Sequence, residues 1–172
     1  MVTLGARQTD ETPVGMLSAC HTRIREHIAL ARRLSLARGY SADDIHEAAL
    51  RVARYFSIGL PLHMEDEDLS IAPRLVEVNP ILEITIDVLE SQHRSHEPII
   101  EWLVSLCKRI ERAPAELENV RDILSQTTEL LAPLFDTHLE IEEQVVFPAI
   151  TRLPASEQQA IAREIRARRA LH

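Results

Sequence analysis

The stretch His63-Met64-Glu65-Asp66-Glu67-Asp68 and its echo His138-Leu139-Glu140-Ile141-Glu142-Glu143 decide how this chain is read. Each places a histidine at i and a glutamate at i+4. On an α-helix that spacing stacks both side chains on one face, one turn apart. Apolar residues follow each motif (Leu69 and Ile71; Val145 and Phe147), and a proline stands ten positions after each histidine, at Pro73 and Pro148. A single His-x-x-x-Glu pair is most simply a solvated i,i+4 contact. Two copies, 75 residues apart, favour a pair of helices that bring metal-binding groups to one place.

Helix punctuation extends outward from these motifs. Thr12-Pro13 predicts a capped start, and a helix runs from about Pro13 to Ala37, with Gly39 at its end. Ser41 with Asp44 resembles a capping box for a second helix, which reaches about Glu77 and kinks near Gly59-Leu60-Pro61. Asn79-Pro80 opens a third helix, to about Arg112. After Ala113-Pro114 a fourth runs to about Ile150, with a kink at Pro133. Pro154 and Ser156 begin a short, arginine-rich fifth helix, about residues 155 to 170. No segment shows strand periodicity. The expected fold is all-α: one domain, an up-down-up-down four-helix bundle over about residues 13 to 150, with a short extra C-terminal helix.

The two motifs have matching company. The first helix carries Leu17, His21, Ile24, Ile28, Ala31 and Leu34 at helical spacing; the third carries Leu89, His93, His96, Ile100, Leu103 and Leu106. A shift of 72 residues sets His93 on His21, and a shift of 75 sets His96 there instead; apolar periodicity prefers His93. The chain thus reads as two copies of a helical hairpin, each with one lone histidine and one His-x-x-x-Glu pair. Candidate metal ligands are His21, His63, Glu67, His93, His138 and Glu142. Imidazole with carboxylate suits iron, whereas thiolates would point to copper(I) or structural zinc. Two octahedral ions need about twelve ligand positions, and four imidazoles, two bridging carboxylates and a bridging oxo or hydroxo group leave about two open.

These residues resemble the hemerythrin-like, or HHE cation-binding, family, over about residues 14 to 150. His63-Met-Glu-Asp-Glu67 and His138-Leu-Glu-Ile-Glu142-Glu143-Gln-Val-Val-Phe-Pro148 are similar to its two signature helices, and His21 and His93 stand where it places two further histidines. The resemblance implies two non-haem iron ions, oxo- or hydroxo-bridged, while the spacing by itself suits zinc or manganese as well. It implies a small diatomic ligand (O₂ or NO) or peroxide as partner. The oxygen carriers of the family have a second histidine on the third helix, one turn on. Here that position is Glu97, with His96 nearby. They take their last carboxylate five residues after the fourth-helix histidine, which is Glu143; Glu142 suits plain helical spacing, and a π-bulge would change the choice. One fewer histidine fits the family's sensors, iron-handling proteins or redox enzymes better than a reversible carrier. The alternatives are an iron store or donor, and a structural bundle holding zinc or nothing. No dedicated acid–base residue or substrate pocket marks an enzyme, although weak peroxidase or oxidase activity stays open.

The remaining features set bounds. Lys and Arg number 19 against 27 Asp and Glu, so the formal charge of −8 argues against nucleic acid as a partner. Cys20 and Cys107 are far apart and form no metal or disulfide motif. No apolar run approaches the roughly 18 residues of a membrane span, and the start lacks a signal-peptide pattern. A cytoplasmic monomer or homodimer is expected. Phe56, Trp102, Phe135 and Phe147 read as core. Tyr55 reads as core or surface, and Cys20 as packing. His27, His46 and His172 read as surface. Glu65, Asp66, Asp68 and Glu140 read as a solvated acidic face, the alternative being a carboxylate that holds a ligand imidazole. The Arg163–Arg169 run reads as solvated.

Overall fold

The computed structural model describes residues 11–171, and His172 lies outside them. The fold is all-α, with no strand among the described residues. In chain order the helices are α1 (Pro13–Leu36), α2 (Ala42–Arg54), α3 (Leu60–Glu65), α4 (Ala72–Val78), α5 (Glu83–Arg112), α6 (Leu117–Ile141), α7 (Phe147–Arg152) and α8 (Ala155–Ala170).

Most of the expected ends are present for the expected reasons. Thr12 Oγ1 accepts from the Gly15 amide at 3.0 Å. Gly39 carries a positive φ of 69° just past α1. Ser41 Oγ accepts the Asp44 amide and donates to its carboxylate. Asn79 accepts from the Ile81 amide, and a 3₁₀ turn, Pro80–Leu82, leads into α5. Arg121, buried, donates to the carbonyls of Ser35 and Ala37, satisfying orphan acceptors at the end of α1.

Between the helices named above lie three π turns: Tyr55–Gly59, Asp66–Ile71 and Glu142–Val146. Each ends one residue before the residue that precedes a proline. Proline has no amide hydrogen, so the carbonyl four residues before it loses its α-helical donor. In all three cases the residue just ahead of the proline donates to a carbonyl five back instead. Leu60 donates to Tyr55, Ala72 to Glu67, and Phe147 to Glu142. The prolines ten positions after His63 and His138 therefore mark π turns that begin beside the motif glutamates. The kink expected at Gly59-Leu60-Pro61 takes this form too. Gly59 has a further constraint, because a Cβ there would stand 2.8 Å from the Tyr55 ring. α6 passes Pro133, and α5 passes Pro98, without such a turn.

The described helices group into two compact units. Of the described residues, the first takes 11–22, Leu62–Gln92 and 138–171; the second takes Arg23–Pro61 and His93–Thr137. The core of the first unit gathers Leu17, Ile71, Leu75, Leu89, Phe147 and Ile150, together with Ile161 and Ile165 of α8. The C-terminal helix is thus built into that core. In the second unit Ile24, Ala31, Leu103, Leu124 and Leu131 are fully buried, as is Phe56. Phe135 and Phe147 are buried as expected, but Trp102 is 48% exposed. Its neighbours Leu103 and Leu106 occupy the inward face of α5 and turn position 102 outward. No helix among the described residues is long and apolar enough to cross a membrane.

Candidate metal centre

Five of the six residues singled out in the sequence lie in the first unit: His21 on α1, His63 on α3, Glu67 on the π turn after it, His138 on α6, and Glu142 on the next π turn. His21, His63, His138 and Glu142 are almost wholly buried. One potential ligand atom from each of His21, His63, Glu67 and Glu142 lies within 4.8 Å of the others, and the same holds for Glu67, His138 and Glu142. The two groups overlap at both carboxylates. Glu142 divides its oxygens between them: Oε1 is 2.6 Å from His138 Nε2, and Oε2 is 2.7 Å from His21 Nε2 and 4.0 Å from His63 Nε2. Glu67 Oε1 is 3.1 Å from His63 Nε2.

Of Glu142 and Glu143, Glu142 stands among the converging donor atoms. The π turn begins at Glu142, after the His138-to-Glu142 step, so it leaves their i,i+4 relation intact. Glu143 turns outward, with its side chain 38% exposed, and its Oε1 accepts from His21 Nδ1 at 2.8 Å. On the other motif helix, His138 Nδ1 donates to Gln92 Oε1 at 2.8 Å. Both imidazoles are thereby oriented with Nε2 inward, as metal-binding histidines are by an outer partner. His21 also stacks on Phe147, with ring centroids 4.9 Å apart, and meets the His63 ring edge-on at 5.2 Å.

The third-helix corner divides differently. His93 directly follows Gln92 on α5 and is buried. His96 is also buried and packs against Phe135 at 5.5 Å. Glu97 is exposed.

The electrostatics fit a cation. Burial works to raise the Glu142 carboxyl, but the imidazoles of His138, His21 and His63 outweigh it and hold the group well below the usual range. Glu67 moves the other way, pushed up by burial and then by the charge of Glu142. Two closely set carboxylates that oppose each other in this way are relieved by a positive ion between them. Both Glu142 oxygens and His21 Nε2 are buried and make no aligned hydrogen bond, although they stand at contact distance. Imidazole nitrogens and carboxylate oxygens converging in this way suit metal coordination.

Two sequence readings need correction here. Asp66 is not solvated; it is 0% exposed. Nor is the whole arginine run: Arg168 and Arg169 of α8 both pair with Asp66, and Arg168 Nη2 donates to Ser70 Oγ at 2.6 Å. Arg169 Nη2 also lies 3.2 Å from Cys20 Sγ, beside His21. Burial raises the Asp66 carboxyl, against the pull of Arg169 and Arg168. These arginines, like Gln92 and Glu143, were missed as supports of the site. Asp66 carried one usable signal: three residues after His63, it shares that histidine's helix face.

Tyr55 is half-buried and stacks on His27 with centroids 4.1 Å apart. His46 is exposed and bonds the Glu111 carbonyl.

The pattern of the hemerythrin HHE cation binding domain matches residues 12–104. An uncharacterized protein of Haemophilus influenzae is 31% identical over 136 residues, which cover 76% of this chain and 74% of that protein. The chain belongs to the hemerythrin HHE cation-binding domain family.

Proposed function

We propose that this protein binds a carboxylate-bridged non-haem di-iron centre and that it senses or reacts with O₂, NO or peroxide there. His21, His63, His93 and His138 would be terminal ligands, and Glu67 and Glu142 the bridges. The observation that carries the reading is the pair of overlapping donor groups that share both carboxylates, with the two Glu142 oxygens aimed at different imidazoles. His93 joins the set on its burial and on its match to His21 in the hairpin repeat. Two ferrous ions would supply open coordination positions and two electrons to a small ligand. The chain supplies the rest: buried imidazoles locked by Glu143 and Gln92, an aromatic wall at Phe147, and little access for water.

Metal analysis with optical spectra tests this, before and after dithionite and then O₂ or NO. Two irons per chain are expected, with near-ultraviolet charge-transfer bands that bleach on reduction and respond to the gas. His138→Ala is expected to lose the bands. An iron-replete sample without them, or a protein that takes up only zinc, would overturn the reading. Rapid loss of iron to a chelator, without a response to gas, would point to iron donation instead.

A further inference from the structure

The two halves of the centre are supported unequally. His21 presents Nε2 inward while its Nδ1 is held by a carboxylate, Glu143, at 2.8 Å. His138 presents Nε2 inward while its Nδ1 is held by a neutral amide, Gln92, also at 2.8 Å. The lengths are the same and the chemistry is not. A carboxylate behind an imidazole increases its electron donation to a metal, whereas an amide oxygen fixes orientation and tautomer with less added charge.

We propose that Glu143 and Gln92 are positioning residues that make the two metal positions inequivalent. The position beside His21 and His63 binds first and more tightly, and the position beside His138 second. This rests on the dinuclear reading above. It also gives Glu143 a role other than the one its spacing suggests: it stands five residues after His138, yet it serves the histidine of α1.

The test is an anaerobic titration of metal-free protein with Co²⁺, followed by its visible d–d bands. The wild type, Glu143→Gln, Glu143→Ala and Gln92→Ala are compared. The wild type should bind two ions in two resolved steps. Glu143→Gln is nearly isosteric and can still accept from Nδ1, so it removes charge and keeps orientation. It should weaken the first step by about 10- to 100-fold and the second by much less. Glu143→Ala should weaken the first step at least as much. Gln92→Ala should weaken the second step alone. Circular dichroism of the metal-free variants checks that each is folded. Two equal steps in the wild type, a Glu143→Gln titration matching the wild type, or equal weakening of both steps by Glu143→Gln would overturn the proposal and leave the dinuclear reading standing. Uptake of one ion or none by the wild type would overturn both.

Discussion

The contact between α8 and the first His-x-x-x-Glu helix allows a sharp test of what holds the site's scaffold. Asp66 is fully buried next to Glu67 and receives both Arg168 and Arg169. Arg169→Ala removes one of its two cations. Taking away the only partner of a buried charge costs about 3–5 kcal/mol. Arg168 remains, however, and Arg169 is 28% exposed, which screens the pair. A loss of about 2–3 kcal/mol is therefore expected, in line with charged hydrogen bonds at about 1.5–3 kcal/mol each. For a chain of this size that lowers Tm by about 4–12 °C. Asp66→Asn removes the fully buried charge but leaves Arg168 and Arg169 facing a neutral amide, and should cost about 1–3 kcal/mol. In the Asp66→Asn background, Arg169→Ala should then cost only about 0.5–1 kcal/mol, for lost packing of its stem and its Cys20 contact. Urea unfolding of chelator-treated protein, followed by circular dichroism, measures all four corners of this cycle. If Arg169→Ala costs as much in the Asp66→Asn background as in the wild type, the reasoning fails.

Three further outcomes are expected. In the second unit, Leu124→Ala should destabilise by about 2–5 kcal/mol, since the side chain is fully buried, while Leu130→Ala, at a position 61% exposed, should stay within about 0.5 kcal/mol; equal costs by urea unfolding would contradict the packing described. Burial pushes the Cys107 thiol up to about 12, so native protein at pH 8 should leave Cys107 unlabelled by iodoacetamide, and prompt labelling by mass spectrometry would refute this. Because the folded thiol keeps its proton above the ordinary value of about 8.5, the unfolded chain ionises first, and stability should fall as pH rises between the two values, a loss that Cys107→Ala should lack.

The local parts of this protein were legible in its sequence. Caps at Thr12, Ser41 and Asn79 act within three residues, so short-range chemistry reveals them. The facing of His63 with Glu67, and of His138 with Glu142, follows from 3.6 residues per turn. The hairpin repeat pointed to His21 before any contact was known, and helix punctuation with apolar periodicity sufficed for an all-α chain.

What needed the tertiary structure were outcomes of register and of distant pairing. The prolines after both motifs were visible, but their effect, a hydrogen bond moved from four residues to five on the glutamates' own carbonyls, depends on which carbonyl finds a donor. The choice of Glu142 over Glu143 depends on which side chain meets His21 from inside and which from outside, and that is set by how α1 lies against the turn. Trp102 faces outward because Leu103 and Leu106 take the inward face. Asp66 with Arg168 and Arg169, or His138 with Gln92, are charge and hydrogen-bond pairs between residues far apart in the chain. Periodicity ranks a residue's face but not its partner, so the sequence by itself determined the helices and the motif donors. Only packing decided which groups hold those donors in place.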